Sequence, residues 1–176
     1  GIQVYPSKQA TRHWPGRLRE GKEMMSAIVQ AIHGMAAVAW VGGIFFAYMA
    51  LRPAANATLE PPQRVRLWQS AYRHFFPWVW GMISLLLLTG YADLFMRFGG
   101  FTNDALYLKL MHGIGLLMVA FFAYLYFGLY RKLSKAVISD DVKGAATVMM
   151  KMRPVMATNL ILGMLLTAIG ISGSAM

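Results

Sequence analysis

Four long stretches of this 176-residue chain contain no Asp, Glu, Lys or Arg. They lie between Glu23 and Arg52, between Arg73 and Asp93, between Lys109 and Arg131, and after Arg153. Each is close to or above the ~20 residues that an α-helix needs to cross the hydrocarbon of a bilayer. Backbone in hydrocarbon must satisfy its own hydrogen bonds, so these stretches are helices. The expected spans are 26–51, 75–97, 105–130 and 154–173, which predicts an all-α, integral membrane four-helix bundle. Composition agrees: only 14% of residues are charged, against ~25% in ordinary soluble domains. Cysteine is absent, which removes disulfides, Fe–S clusters, thiolate zinc sites and cysteine nucleophiles.

The net charge of +10 is unevenly placed. Segment 52–74 carries Arg52, Arg64, Arg66 and Arg73. Segment 131–153 carries Arg131, Lys132, Lys135, Lys143, Lys151 and Arg153, whereas the turn 98–104 has none. Basic loops face the cytoplasm, so the expectation is a multi-pass protein of the bacterial inner membrane with both termini outside. The charge is thereby assigned to loops, and no nucleic acid partner is expected. Residues 1–23 hold five Lys or Arg, two prolines and no helical period, and Met24-Met25 follows them. They are expected to be a tag or non-native extension, leaving 24–176 as the transmembrane domain.

Both basic segments have helical character. Val65, Trp68 and Tyr72 recur on one face of 63–76, and Pro61-Pro62 opens that helix. Asp140-Asp141 favours a helix start, and Met149, Met152 and Met156 share a face. Shifting the chain by 79 residues puts His33-Gly34 on His112-Gly113 and Arg52 on Arg131. Each of these spans then runs through a basic linker to a proline, Pro77 or Pro154. Two helix-hairpin repeats, related by an axis along the membrane normal, would give this pattern.

Four histidines occur. His13 lies in the basic tail, and His74 lies at the end of the second span, where a solvated role suffices. His33 and His112 sit within spans one and three, each ~10–12 Å below the helix end. Ionisable residues inside spans are rare and face a bundle interior or cavity. Two imidazoles at matched depth on parallel helices admit haem ligation, interhelical hydrogen bonding or a metal site. Gly34, Gly113 and Gly90 would leave room for a flat macrocycle, and Trp40 would supply an aromatic wall. Lys109 and Arg97 lie near the same surface, where haem propionates would point. An Asp93–Lys109 ion pair is the structural alternative.

The string His33-Gly34-Met35-Ala36-Ala37-Val38-Ala39-Trp40-Val41-Gly42-Gly43, ending at Arg52-Pro53, resembles the first span of the copper resistance D (CopD) family. It is also similar to the HemJ-type protoporphyrinogen oxidases related to that family. Tyr107-Leu108-Lys109-Leu110 matches the Lys-Leu pair that opens the corresponding HemJ helix. The HemJ resemblance implies haem b, with His33 and Lys109 as the functional positions; His112 is an addition to that pattern. The CopD resemblance implies copper uptake or resistance. A bis-histidine haem suits one-electron transfer, so the expected protein is a CopD-like cytochrome b. His33 and His112 would be its iron ligands, and a quinol or redox protein its partner. The alternatives are oxidation of protoporphyrinogen IX or copper handling. For copper, Met149, Met152 and Met156 are candidate thioether ligands among 14 methionines, since thioethers favour Cu(I). Homo-oligomerisation is open. No carboxylate pair for hydrolysis and no phosphate-binding glycine loop is present.

Overall fold

Six α-helices and two π-helical segments carry the backbone of the computed structural model, which describes residues 14–100 and 106–174. Helix α1 (Trp14–Phe46) passes through a first π segment (Ala47–Leu51) into the short α2 (Arg52–Thr58). Helix α3 (Pro61–Phe98) returns. Helix α4 (Leu106–Ala123) passes through a second π segment (Tyr124–Tyr130) into α5 (Arg131–Ile138), and α6 (Val142–Ser174) returns. The four resulting rods are long and apolar enough to cross a membrane. Among the described residues no strand occurs. The chain is thus an all-α, four-helix membrane bundle.

The two halves share one order: span, π segment, short basic helix, break, long helix with an internal proline. The π segments end at Leu51 and Tyr130, immediately before the matched Arg52 and Arg131. A π segment slips the hydrogen-bond register by one residue and is a local feature, often tied to function. Its presence at matched positions supports the hairpin repeat on grounds the sequence shift did not use.

Local chemistry sets the ends. Pro61 and Pro62 occupy the first turn of α3, where a missing N–H costs nothing. Glu60 and Gln63 form a reciprocal capping box there. At the start of α6, Asp141 accepts the Gly144 N–H at 2.8 Å. Helix α3 closes on Gly99 with φ 71°, a left-handed conformation that costs glycine little. The tail differs from expectation in one respect. Helix α1 begins at Trp14, so residues 14–23 are helical despite lacking an apolar period. Residues 1–13, including His13, lie outside the described residues.

Helix α1 packs along α3, α4 packs along α6, and α6 also touches α1 and α3. Lipid provides no hydrophobic drive between helices, so close packing has to hold them. Glycine provides part of it. A Cβ on Gly43 would strike the Phe75 ring, one on Gly163 would strike Val41 and Met118, and one on Gly173 would strike Tyr107. Aromatic rings provide more. Phe76, 2% exposed, stacks on Tyr72 at 4.9 Å and meets Tyr130 and Phe122 edge-on at 5.1 and 5.3 Å. Val65, Trp68 and Tyr72 are all buried, as their shared face predicts. The ion pair Arg66–Asp140, at 2.8 Å, joins the basic segments of the two halves.

The filled core is lopsided. Its buried large side chains run from Trp40, Ile83, Met118 and Leu160 toward the basic end. Beyond those residues, toward the neutral end, no large apolar side chain among the described residues is buried. The core itself holds a cavity of only about 10 Å³ beside Phe76 and Asn159, roughly the minimum for one water.

Candidate functional site

The neutral half of the bundle holds His33 and His112. His33 is half-buried on α1, and its Nδ1 lies 2.9 Å from Thr89 Oγ1 on α3. Thr89 has one hydroxyl proton, which it donates to the Leu85 carbonyl one turn back, a common bond for threonine in a helix. Its oxygen can then accept from His33 Nδ1. This contact favours the tautomer with the proton on Nδ1, in which Nε2 keeps the lone pair. Metal-binding histidines show this arrangement: one ring nitrogen anchored by a hydrogen bond, the other free to ligate.

Gly90 makes the approach feasible. A Cβ there would lie 3.3 Å from His33 Cε1, tight enough to push the ring away. Gly90→Val and Thr89→Val should both weaken the tautomer preference. Loss of one hydrogen bond is worth about 1 kcal/mol, hence roughly fivefold in the tautomer ratio. Nitrogen NMR of protein labelled at histidine reads this directly. Wild-type protein should give a single Nδ1–H signal for His33, and a mixture there would remove the assignment.

His112 on α4 is exposed and lies edge-on to the Tyr91 ring, with centroids 5.6 Å apart. Thr89, Gly90 and Tyr91 are consecutive, so both histidines meet the same turn of α3. They meet it from different sides, because residues two apart on a helix project about 200° apart. The two imidazoles do not touch each other. Spans one and three are not a principal packing pair.

The other sequence candidates are distributed as follows. Trp40 is buried in the core, edge-on to Phe122 at 6.3 Å, two turns deeper than His33. Gly34 and Gly113 are exposed, and a Cβ on either would meet nothing within 4 Å. Arg97 pairs with Asp93 on its own helix at 3.3 Å, and Ser26 reaches the same carboxylate at 3.5 Å. Asp93 is thus engaged by Arg97 and Ser26. Lys109 is exposed one turn before His112. Thr89 was missed by the sequence reading; its signal is a lone hydroxyl closing the run Leu85–Leu88, directly before Gly90.

The methionine group lies at the other end. Met149 and Met156, with Met150, line a cleft of about 250 Å³, while Met152 is buried in the core and does not line it. Met156 Sδ accepts from the Tyr72 hydroxyl at 3.1 Å. Arg52, Arg64 and Arg153 line the same cleft, and three guanidinium charges oppose any metal cation there. Among the described residues, no three His, Asp or Glu side chains gather to hold a metal ion.

Residues 69–172 match the family model described as copper resistance protein D, which is more than half of the chain. The chain belongs to the CopD family. The CopD match covers α3 from its third turn, α4, α5 and nearly all of α6. It includes Thr89, Gly90, Tyr91, Lys109 and His112. It begins after His33 and the string ending at Gly43, so the first span's contribution rests on its contacts with α3. No curated protein and no solved structure matches this CopD chain closely enough to add a relative or a fold neighbour.

Proposed function

We propose that this CopD-family membrane protein binds haem b in the neutral half of its bundle and passes single electrons there. The observation that carries this is the contact of His33 Nδ1 with Thr89 Oγ1 at 2.9 Å, which favours a lone pair on Nε2 at a depth where ionisable groups are rare. The donor chemistry fits haem iron, which takes neutral imidazole. His112, which meets the same turn of α3 from another side, is the second ligand in this proposal and would have to turn toward His33. Haem supplies reversible one-electron chemistry when bound; the chain's residues hold and orient it. Thr89 fixes the ring plane of His33. The sparse filling of this half leaves the helices able to admit a flat group. Lys109, one turn before His112, supplies a cation for propionates. Arg97 is held by Asp93 and would have to exchange that partner.

Copper is the second candidate, favoured by the family description, and its nitrogen ligand would again be His33 Nε2. A visible spectrum, oxidised and reduced, with metal analysis on one detergent-purified sample, separates the two. A low-spin haem b spectrum with stoichiometric iron supports the first. Stoichiometric copper in a colourless sample grown with ample haem rejects it. Oxidation of protoporphyrinogen IX, the HemJ activity, would appear as rescue of a haem-auxotrophic strain.

A further inference from the structure

The cleft at the basic end is built from three separate parts of the chain: the junction of α1 and α2, the first turns of α3, and the first half of α6. Arg52, Arg64 and Arg153 converge on it, yet among the described residues none of the three pairs with a carboxylate. The carboxylates of this end are engaged elsewhere. Glu60 caps α3, Asp140 holds Arg66 at 2.8 Å, and Asp141 caps α6. Arg64 is tied back by the carbonyl of Leu59 at 3.0 Å, but its Nε is buried with no partner. A buried guanidinium N–H without an acceptor is costly and calls for one. Arg52 is braced over the Tyr48 ring at 5.0 Å.

Depth and lining identify the acceptor. Arg52 is the first charge after span one, and Arg153 is the last before span four, so the cleft lies at the level of lipid headgroups. Deeper along α3 and α6 than Arg64 and Arg153, the lining is Trp68, Tyr72 and Met156, a largely apolar wall. A group with a compact anion above and hydrocarbon beneath fits both. Arginine clusters recognise phosphate oxygens through forked, charge-assisted hydrogen bonds.

We propose that this cleft binds the phosphate of an acidic membrane lipid, with the start of an acyl chain along the Trp68 wall. The site is independent of the metal-binding proposal and lies at the opposite end of the bundle.

Native mass spectrometry of the full chain, released from detergent with phosphatidylglycerol or phosphatidylcholine, tests it. Wild-type protein should retain phosphatidylglycerol about tenfold better, as expected for one charge-assisted pair. Arg64→Gln with Arg153→Gln should bring the two lipids within twofold of each other. Ala146→Trp keeps every charge and fills the cleft, and it should do the same. Lys132→Gln with Lys135→Gln removes equal charge outside the cleft and should leave the preference intact. Equal retention of both lipids by wild type, or a preference that survives both cleft variants, overturns the proposal. Displacement of the lipid by inorganic phosphate alone would make the ligand a free anion and would also overturn it.

Discussion

If the protein binds haem b as proposed, His33→Ala should purify folded and without a low-spin haem spectrum. The substitution removes the imidazole that is proposed as the first iron ligand. Folding should survive, because His33 lies outside the filled core. His112→Ala should cost the second ligand and give high-spin or absent haem. Thr89→Val is the informative third variant. It removes no ligand and leaves the side chain nearly the same size, so retention should fall by the 10–100-fold typical of lost outer-shell partners. A full low-spin spectrum in both histidine variants would end the ligand assignment. Full retention in Thr89→Val, with His33→Ala colourless, would keep the ligand and remove the positioning role.

Phe76→Ala is expected to be the most damaging single substitution for stability. Phe76 touches Tyr72, Phe122, Tyr126 and Tyr130 and is nearly inaccessible. Truncating a buried phenylalanine costs about 3–5 kcal/mol in soluble cores. Lipid lacks the water-transfer part of that cost, so about 3 kcal/mol from lost contacts and ring–ring geometry is the better expectation here. Unfolding in mixed SDS micelles measures it. Exposed Trp78, two residues away but turned outward at 73% exposure, is the control: Trp78→Ala should shift the midpoint by less than about 0.5 kcal/mol. Equal losses at both positions would mean that the aromatic cluster does not hold the bundle.

The spans were legible because charge exclusion is severe in hydrocarbon, so the gaps around His33, Thr89, His112 and Asn159 delimit the helices. That same criterion hid residues that matter inside them. Thr89 and the buried Asn159 are polar but uncharged, and neither interrupts a charge-free run. Histidine stood out because it ionises; the threonine that orients it did not. Trp40, expected as an aromatic wall, lies two turns deeper than His33 and faces Phe122. Apolar residues surround the whole circumference of a membrane helix, so no face pointed to that contact. The π segments had no signature either. Tyr124–Tyr130 contains only Gly128 as an irregular residue, and a one-residue slip in hydrogen bonding needs no special side chain. The arginine cleft was invisible for another reason: Arg52, Arg64 and Arg153 come from three elements, and only tertiary packing brings them together.

The lopsided core allows an order of events. Among the described residues, every large buried apolar side chain lies toward the basic end, from Trp40, Ile83, Met118 and Leu160 onward, so the helices can lock there while the histidine end is still unfilled. A newly inserted chain packed this way is anchored at one end and thinly filled at the other. On the proposed reading, loading does not have to coincide with insertion, because the locked end holds the helices together whether or not the histidine end is filled.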